Sequence, residues 1–165
     1  MRHLAIAVLL FGLAAQPAHA DYRSGLAAYE AGHYAEALGE LLPLSERGDA
    51  EAEFMLGVMY YYGRGVSRDE GLAAVWFFKS ARKGSASGQL AFGSLYLRGT
   101  GVRRNLGQAY LWLTLAAESG VPGLQQQALQ LRDDAARLMA PDDVEKARRL
   151  AANFRPARAG LTSWR

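Results

Sequence analysis

Residues 50–84 of the chain read AEAEFMLGVMYYYGRGVSRDEGLAAVWFFKSARKG, and residues 86–120 read ASGQLAFGSLYLRGTGVRRNLGQAYLWLTLAAESG. Aligned at an offset of 36 residues, the two stretches share small and aromatic residues at the same positions. The matching pairs include Ala50 and Ala86, Gly57 and Gly93, Tyr60 and Tyr96, Gly63 and Gly99, Gly65 and Gly101, Trp76 and Trp112, and Gly84 and Gly120. A fixed period of this length is typical of repeat proteins, in which each unit buries its apolar face against the next.

Each repeat predicts two helices joined by a glycine-containing loop. Ala52, Leu56 and Tyr60 recur every four residues and therefore lie on one face of the first helix. Gly63 is expected to end that helix, because glycine adopts a positive φ at little cost. Asp69 is expected to accept hydrogen bonds from the free N–H groups at the start of the second helix. The inner face of the second helix is predicted to consist of Ala73, Trp76 and Ala81, and in the next repeat of Ala109, Trp112 and Ala117.

The repeated pattern resembles the Sel-one-like repeat, a relative of the tetratricopeptide repeat. The resemblance is carried by Ala50, Leu56, Gly57, Tyr60, Gly63, Gly65, Val66, Asp69, Ala73, Trp76, Ala81 and Gly84 and by their counterparts one repeat later. It covers residues 49–84 and 85–120 fully and the flanking segments weakly. It implies an all-α fold, an α-α superhelical solenoid of antiparallel helix hairpins. It also implies a protein that binds proteins or peptides, often as an adaptor and sometimes in the bacterial envelope, with no catalytic residues and no cofactor.

Divergent segments flank the two clear repeats. We predict one helical repeat domain over residues 21–154, with hairpins at 22–48, 49–84, 85–120 and 121–154. His33 lies at the turn of the first hairpin and is expected to help cap the helix that follows it. Pro141 is expected in the first turn of the last helix, because proline lacks the N–H that this position leaves unpaired. Residues 155–165 show no periodicity, and we expect them to form a flexible tail.

The first twenty residues have the pattern of a secretory signal peptide. A basic start is followed by twelve apolar residues and by Ala18-His19-Ala20, a small-residue cleavage signal. The alternative is an uncleaved membrane anchor, which the length disfavours because a spanning helix needs roughly 20 apolar residues. We therefore expect cleavage after Ala20, a periplasmic or secreted location, and no transmembrane segment in the mature chain.

Composition excludes several classes of site. The chain has no cysteine and three histidines, two of which precede residue 21, so thiolate and multi-histidine metal sites are excluded. Residues 21–60 carry eight acidic and two basic side chains, whereas residues 61–120 carry three acidic and eight basic ones. This asymmetry is able to orient a charged partner, although an ordinary solvated helical surface also accounts for it. The formal net charge of +3 is too small to indicate nucleic-acid binding.

The resemblance to tetratricopeptide grooves places candidate partner-binding residues on the concave face of the solenoid. They are Glu51, Phe54, Val58, Tyr61 and Tyr62 in one repeat and Ser87, Leu90, Ser94, Leu97 and Arg98 in the next. Aromatic residues beside an arginine are enriched at binding hot spots. A basic C-terminal surface is the alternative location for the site.

We therefore expect a non-enzymatic protein- or peptide-binding adaptor or scaffold of the bacterial cell envelope, without cofactor or bound metal. The alternative function is carbohydrate handling in the envelope, with tyrosines as stacking platforms for peptidoglycan or exopolysaccharide. The identity of the partner stays open. A monomer is compatible with the sequence, which leaves the oligomeric state open as well.

Overall fold

A computed structural model describes residues 21–154, and within this range every element of regular secondary structure is an α-helix. The helices are α1 (Tyr22–Glu30), α2 (Tyr34–Glu46), α3 (Ala50–Tyr62), α4 (Glu70–Arg82), α5 (Ala86–Arg98), α6 (Leu106–Ala117), α7 (Pro122–Arg137) and α8 (Pro141–Asn153). The predicted all-α fold is thus confirmed. In the described range, no helix is long and apolar enough to cross a membrane. The predicted signal peptide (1–20) and tail (155–165) lie outside the described residues.

Consecutive helices pack as hairpins that stack on one another. The strongest contacts join α3 to α4 and α5 to α6, and each pair then packs on the next through α4 and α5 or through α6 and α7. The first helices of the hairpins also contact each other, α1 with α3, α3 with α5, and α5 with α7. We call these four helices the first-helix layer. The stacking positions equivalent residues of successive repeats side by side in this layer, as a solenoid requires.

In the two central hairpins, the start of the second helix is fixed by a side-chain cap. The Oδ1 atom of Asp69 accepts a hydrogen bond of 2.8 Å from the backbone N–H of Leu72. One repeat later, Oδ1 of Asn105 accepts a bond of 3.0 Å from the N–H of Gln108. The predicted capping is confirmed at both positions. The capping role predicted for His33 is wrong: it precedes α2 but its side chain makes no capping bond.

The loops between the helices of each repeat pack against the preceding hairpin. Gly63 ends α3 with a φ of 68°, as predicted. Gly65 follows with a φ of 74°, and a Cβ built there would lie 2.8 Å from the Cβ of Tyr34. At Gly101, with a φ of 67°, a Cβ would lie 2.1 Å from the carbonyl oxygen of Glu70. Glycine is therefore needed at both places for two reasons, the positive φ and the close contact with the hairpin before it.

The two tryptophans that the repeats make equivalent have different surroundings. Trp112 is buried, with an exposed fraction of 3%. Its ring centroid lies 5.4 Å from that of Phe92 and 4.9 Å from that of Phe154. Trp76 is half-buried, and the Nζ atom of Lys79 lies 4.0 Å from its ring centroid. The prediction that this tryptophan lies on the buried inner face of the second helix therefore fits Trp112 better than Trp76.

Charge is divided along the stack. The acidic segment, residues 21–60, forms α1, α2 and most of α3, whereas the basic segment, residues 61–120, forms α4, α5, α6 and their loops. An ion pair between Lys83 Nζ and Glu53 Oε1, at 2.7 Å, joins the two segments. Because Glu53 is buried, this pair ties the start of α3 to the end of α4.

Candidate functional site

A cleft of about 330 Å³ opens on the first-helix layer, between α3 and α5, with α4 and α7 contributing to its lining. We call it the central cleft. Eight of the ten residues predicted on the concave face line it: Phe54, Val58, Tyr61, Tyr62, Ser87, Leu90, Ser94 and Arg98. The structure therefore brings most of the predicted set together, while the binding role of these residues remains a prediction.

The other two predicted residues lie elsewhere. Glu51 lies close enough to Tyr22 of α1 to act on its pKa. Burial raises the pKa of Tyr22 above its ordinary value of 10.0, and the neighbouring carboxylates, led by Glu51, raise it further. Leu97 packs instead against a buried cluster that includes Leu113 and Ala135. Glu51 therefore belongs to the junction between the first two hairpins, and Leu97 to the core between α5, α6 and α7.

Four lining residues were missed by the sequence interpretation: Phe77, Ala91, Leu95 and Gln127. Phe77 is buried, and its ring centroid lies 5.7 Å from that of Phe54. This contact fixes the apolar wall of the cleft against the core. Gln127 comes from α7, whose sequence lacks the repeat pattern, so no signal placed it beside α5. Phe77 could have been found, because it directly follows the position of Trp76 in the second helix.

Tyr62 lies at the edge of the central cleft and is 61% exposed. Its ring contacts that of Tyr61 edge to face, with centroids 5.0 Å apart. On its other side, the guanidinium of Arg64 lies 5.2 Å from the Tyr62 ring centroid. Arg64 is itself held between the rings of Tyr29 and Tyr34 and donates a 2.6 Å hydrogen bond to the Tyr29 hydroxyl. The exposed ring of Tyr62 is thus supported by a second aromatic ring and by a cation.

Arg98 supplies the charge of the cleft. Among the described residues that line it, Arg98 alone is charged. Its side chain is exposed at the end of α5 and has no ion pair or hydrogen bond with any residue of 21–154. The hydroxyl of Ser94 donates to the carbonyl of Leu90 at 2.7 Å, which leaves the oxygen of Ser94 free to accept. The cleft thus combines apolar walls with one uncompensated positive charge.

The basic C-terminal surface is electrostatically different. Lys146 Nζ lies 2.9 Å from a carboxylate oxygen of Asp143, and Arg149 Nε lies 3.1 Å from one of Glu145. These cations are compensated within α8, unlike Arg98. A second concave region, with a volume of about 510 Å³, lies beside them between the start of α6 and α8 and includes the exposed side chain of Leu150.

Across residues 21–154, no group of three or more histidine, aspartate or glutamate side chains is placed to hold a metal ion.

Comparisons with known proteins agree with the geometry. The Sel1 repeat family model matches residues 50–85 and 86–121. A protective antigen of uropathogenic Escherichia coli strains, which displays an SLR fold, superposes with a TM-score of 0.74 at 24% identity; the match covers 79% of this chain and 28% of the antigen. A Sel1 repeat protein from Oxalobacter formigenes gives a TM-score of 0.59 at 25% identity, covering 81% of this chain and 58% of that protein.

The chain thus spans less than two thirds of the length of either solved structure. The search among curated proteins gave no match. The two matched repeats and the all-helical stack nonetheless lead to one assignment. Residues 50–121 of this chain consist of two Sel1 repeats, which lie at the centre of the stack.

Proposed function

We propose that the protein is a non-enzymatic adaptor or scaffold of the bacterial cell envelope that binds a protein or peptide through the central cleft. Sel1 repeats typically mediate protein–protein interaction, which supports the class of partner. The leader-like pattern of residues 1–20 supports export. Detection of a mature chain that begins at Asp21, by mass spectrometry of the protein from its native host, tests the export step.

The observation that carries the proposal is the difference between equivalent positions at the cleft. Tyr62 and Arg98 end α3 and α5 and correspond to each other at the repeat offset, yet one is aromatic and the other cationic. Several packing positions of the same repeats are identical instead, such as Gly57 and Gly93, Ala73 and Ala109, and Ala81 and Ala117. We attribute the difference between Tyr62 and Arg98 to recognition of a particular partner. The cleft volume lies near the lower end of the roughly 300–1,000 Å³ of ligand sites, which suits one or two side chains of a longer segment.

A paired-variant experiment tests the cleft. The double variant Tyr62→Ala with Arg98→Ala is expected to weaken partner binding by at least ~2 kcal/mol, the scale of hot-spot residues. The matched control is Lys146→Ala with Arg149→Ala, which also removes exposed side chains but lies on α8, away from the cleft. Binding is measured by titration against partners isolated by photocrosslinking in the native host, with benzoylphenylalanine replacing Tyr62. The same label replacing Leu150 tests the second concave region beside α8, the alternative location of the site.

The outcome separates the two surfaces. Loss of binding in the cleft variant alone supports the proposal. If the α8 variant loses binding and the cleft variant does not, the site lies on the basic C-terminal surface and the central cleft is the wrong location. Thermal unfolding of both variants checks that the fold is retained.

Carbohydrate binding is the second candidate function. It is favoured by the exposed ring of Tyr62 beside the Ser94 hydroxyl and the Gln127 amide, since sugars combine stacking with hydrogen bonds. Titration with peptidoglycan fragments and exopolysaccharides, together with a muramidase assay, separates this function from peptide binding. Binding of glycans, but not of peptides, through Tyr62 would replace the adaptor proposal.

A further inference from the structure

We infer that the central cleft selects extended peptide segments in which an Asp or Glu side chain lies two or three residues from a large apolar side chain. This inference rests on the proposed function and names the ligand of the same site. The proposed ligand group is a side-chain carboxylate within a longer peptide segment, not a C-terminal carboxylate. The inference is based on the charge and shape of the cleft.

The charge of the cleft favours an acidic ligand. Arg98 has no acidic partner in residues 21–154, and the one carboxylate among the predicted site residues, Glu51, lies near Tyr22 instead of in the cleft. A carboxylate that enters the cleft therefore gains an uncompensated cation and meets no like charge among the lining residues. A lysine or arginine in the same place would be repelled. The planar guanidinium of arginine is also suited to hold a carboxylate through two hydrogen bonds.

Four other cations of the basic segment already have partners. Lys83 is paired with Glu53, and Arg68 with Glu70. Arg64 is enclosed by tyrosine rings, and the Nε of Arg104 donates to the carbonyl of Leu97. Arg98 differs from these four because its side chain is open to a ligand from outside the chain.

The apolar part of the cleft sets the spacing of the ligand. Phe54, Val58 and Leu90 line its walls, and Leu90 precedes Arg98 by eight residues on α5. At 1.5 Å per helical residue, the apolar walls lie about 6–12 Å from the level of Arg98. An extended peptide covers the middle of this range, about 9 Å, in two or three residues at about 3.3–3.6 Å each. An apolar side chain seated between the walls therefore places an acid two or three residues away beside Arg98.

The end of the cleft is open to solvent. Both Tyr62 and Arg98 are exposed where α3 and α5 end, so a bound chain is able to continue past them. This geometry favours an acidic side chain inside a longer segment over a terminal carboxylate.

The first experiment identifies the preferred sequence. A library of random linear peptides is selected on the mature protein, and bound peptides are counter-selected on the Tyr62→Ala variant to retain those that use the cleft. We expect enrichment of Asp or Glu at two or three residues from Phe, Tyr, Leu or Ile. For a synthetic peptide of this kind, replacing the acid by its amide should weaken binding about tenfold, as measured by fluorescence anisotropy. Amidation of the peptide's C-terminus should leave binding unchanged.

The second experiment exchanges the charge. Arg98→Glu should weaken binding of the acidic peptide about tenfold or more and strengthen binding of the same peptide with Lys in place of the acid. Arg103→Glu is the matched control, because Arg103 is also exposed and lines a different part of the surface, with Tyr96 and Val102. The control makes the same change in net charge and should leave the preference unaltered. If Arg98→Glu fails to fold, Arg98→Gln tests the loss of acid preference alone.

The outcomes distinguish the inference from the function on which it rests. Peptides that depend on Tyr62 but bind equally well with the acid or its amide would overturn the inference and leave peptide binding intact. Dependence on a free C-terminus would overturn it as well, in favour of a terminal carboxylate. If no selected peptide depends on Tyr62, the proposed function of the cleft itself is wrong.

Discussion

Replacement of Gly101 by alanine should destabilise the protein much more than replacement of Gly84, although both glycines have a positive φ. The φ values are 67° and 90°. A Cβ at Gly101 would lie 2.1 Å from the carbonyl oxygen of Glu70, whereas a Cβ at Gly84 would meet no atom within 4 Å. The comparison therefore separates the cost of the backbone conformation from the cost of the contact between repeats.

The expected magnitudes follow from these two costs. An alanine with positive φ costs about 1–2 kcal/mol, and reduced freedom of the unfolded chain offsets about 0.4–1 kcal/mol of this. Gly84→Ala should therefore lower the free energy of unfolding by about 1 kcal/mol. At Gly101 the obstacle is backbone, which cannot rotate away as a side chain does, so the hairpins must move apart. Overpacking of this kind adds about 1–3 kcal/mol, for an expected loss of about 3 kcal/mol.

Urea unfolding followed by circular dichroism measures both losses. The midpoint should fall much further for Gly101→Ala than for Gly84→Ala, with the slope unchanged in each case. Equal losses for the two variants would show that the loop of the second repeat does not press against the hairpin before it. The explanation given above for the need for glycine at Gly101 would then be wrong.

Three further predictions concern the core, a cap and an ionisable side chain. Trp112→Ala should lower the free energy of unfolding by about 3–5 kcal/mol because Trp112 is buried, and the half-buried Trp76→Ala should cost clearly less; equal losses would contradict the different surroundings of the two rings. Asn105→Ala should cost about 1 kcal/mol through loss of the α6 cap, again by urea unfolding, and no loss would mean that the cap is not formed in solution. Because the pKa of Tyr22 is raised above 10.0 in the folded state, Tyr22 keeps its proton to a higher pH in the folded state than in the unfolded chain. Its contribution to the free energy of unfolding should therefore be fully present below pH 10 and be lost as the pH rises above 10. Tyr22→Phe should make that fall shallower in unfolding curves from pH 9 to 11.5, and an unchanged slope would contradict the shift.

The sequence predicted the parts of the fold that local chemistry determines. Gly63 ends a helix because of its own backbone freedom, and Asp69 and Asn105 cap helices through groups three residues away. Such features depend on neighbours in the chain and are visible in a single sequence. The cap predicted at His33 failed, since its ring lies 3.6 Å from the carboxylate of Glu36 and makes no capping bond.

The candidate site was less predictable because it depends on contacts between hairpins. Glu51 and Leu97 follow the groove pattern of the family, yet one lies at the junction with α1 and the other in the core beside α6 and α7. Gln127 lies on α7, for which no repeat offset was available. Arg64 was not among the predicted site residues, because its position among three tyrosine rings depends on the stacking of the first two hairpins. These placements require the three-dimensional arrangement of the stack.

The division of charge along the stack has a kinetic consequence. An acidic partner that diffuses toward the molecule is repelled by the α1 and α2 end and attracted to the α4 to α6 side, so its approach is oriented before contact. Fields of this kind act over roughly 10 Å at 0.1 M salt and about 3 Å at 1 M salt. The association rate constant should therefore decrease steeply as salt is added, while the lifetime of the complex, which depends on short-range contacts within the cleft, should change less. In surroundings of changing ionic strength, such a protein would find its partner fastest in dilute media and hold it for a similar time in all of them.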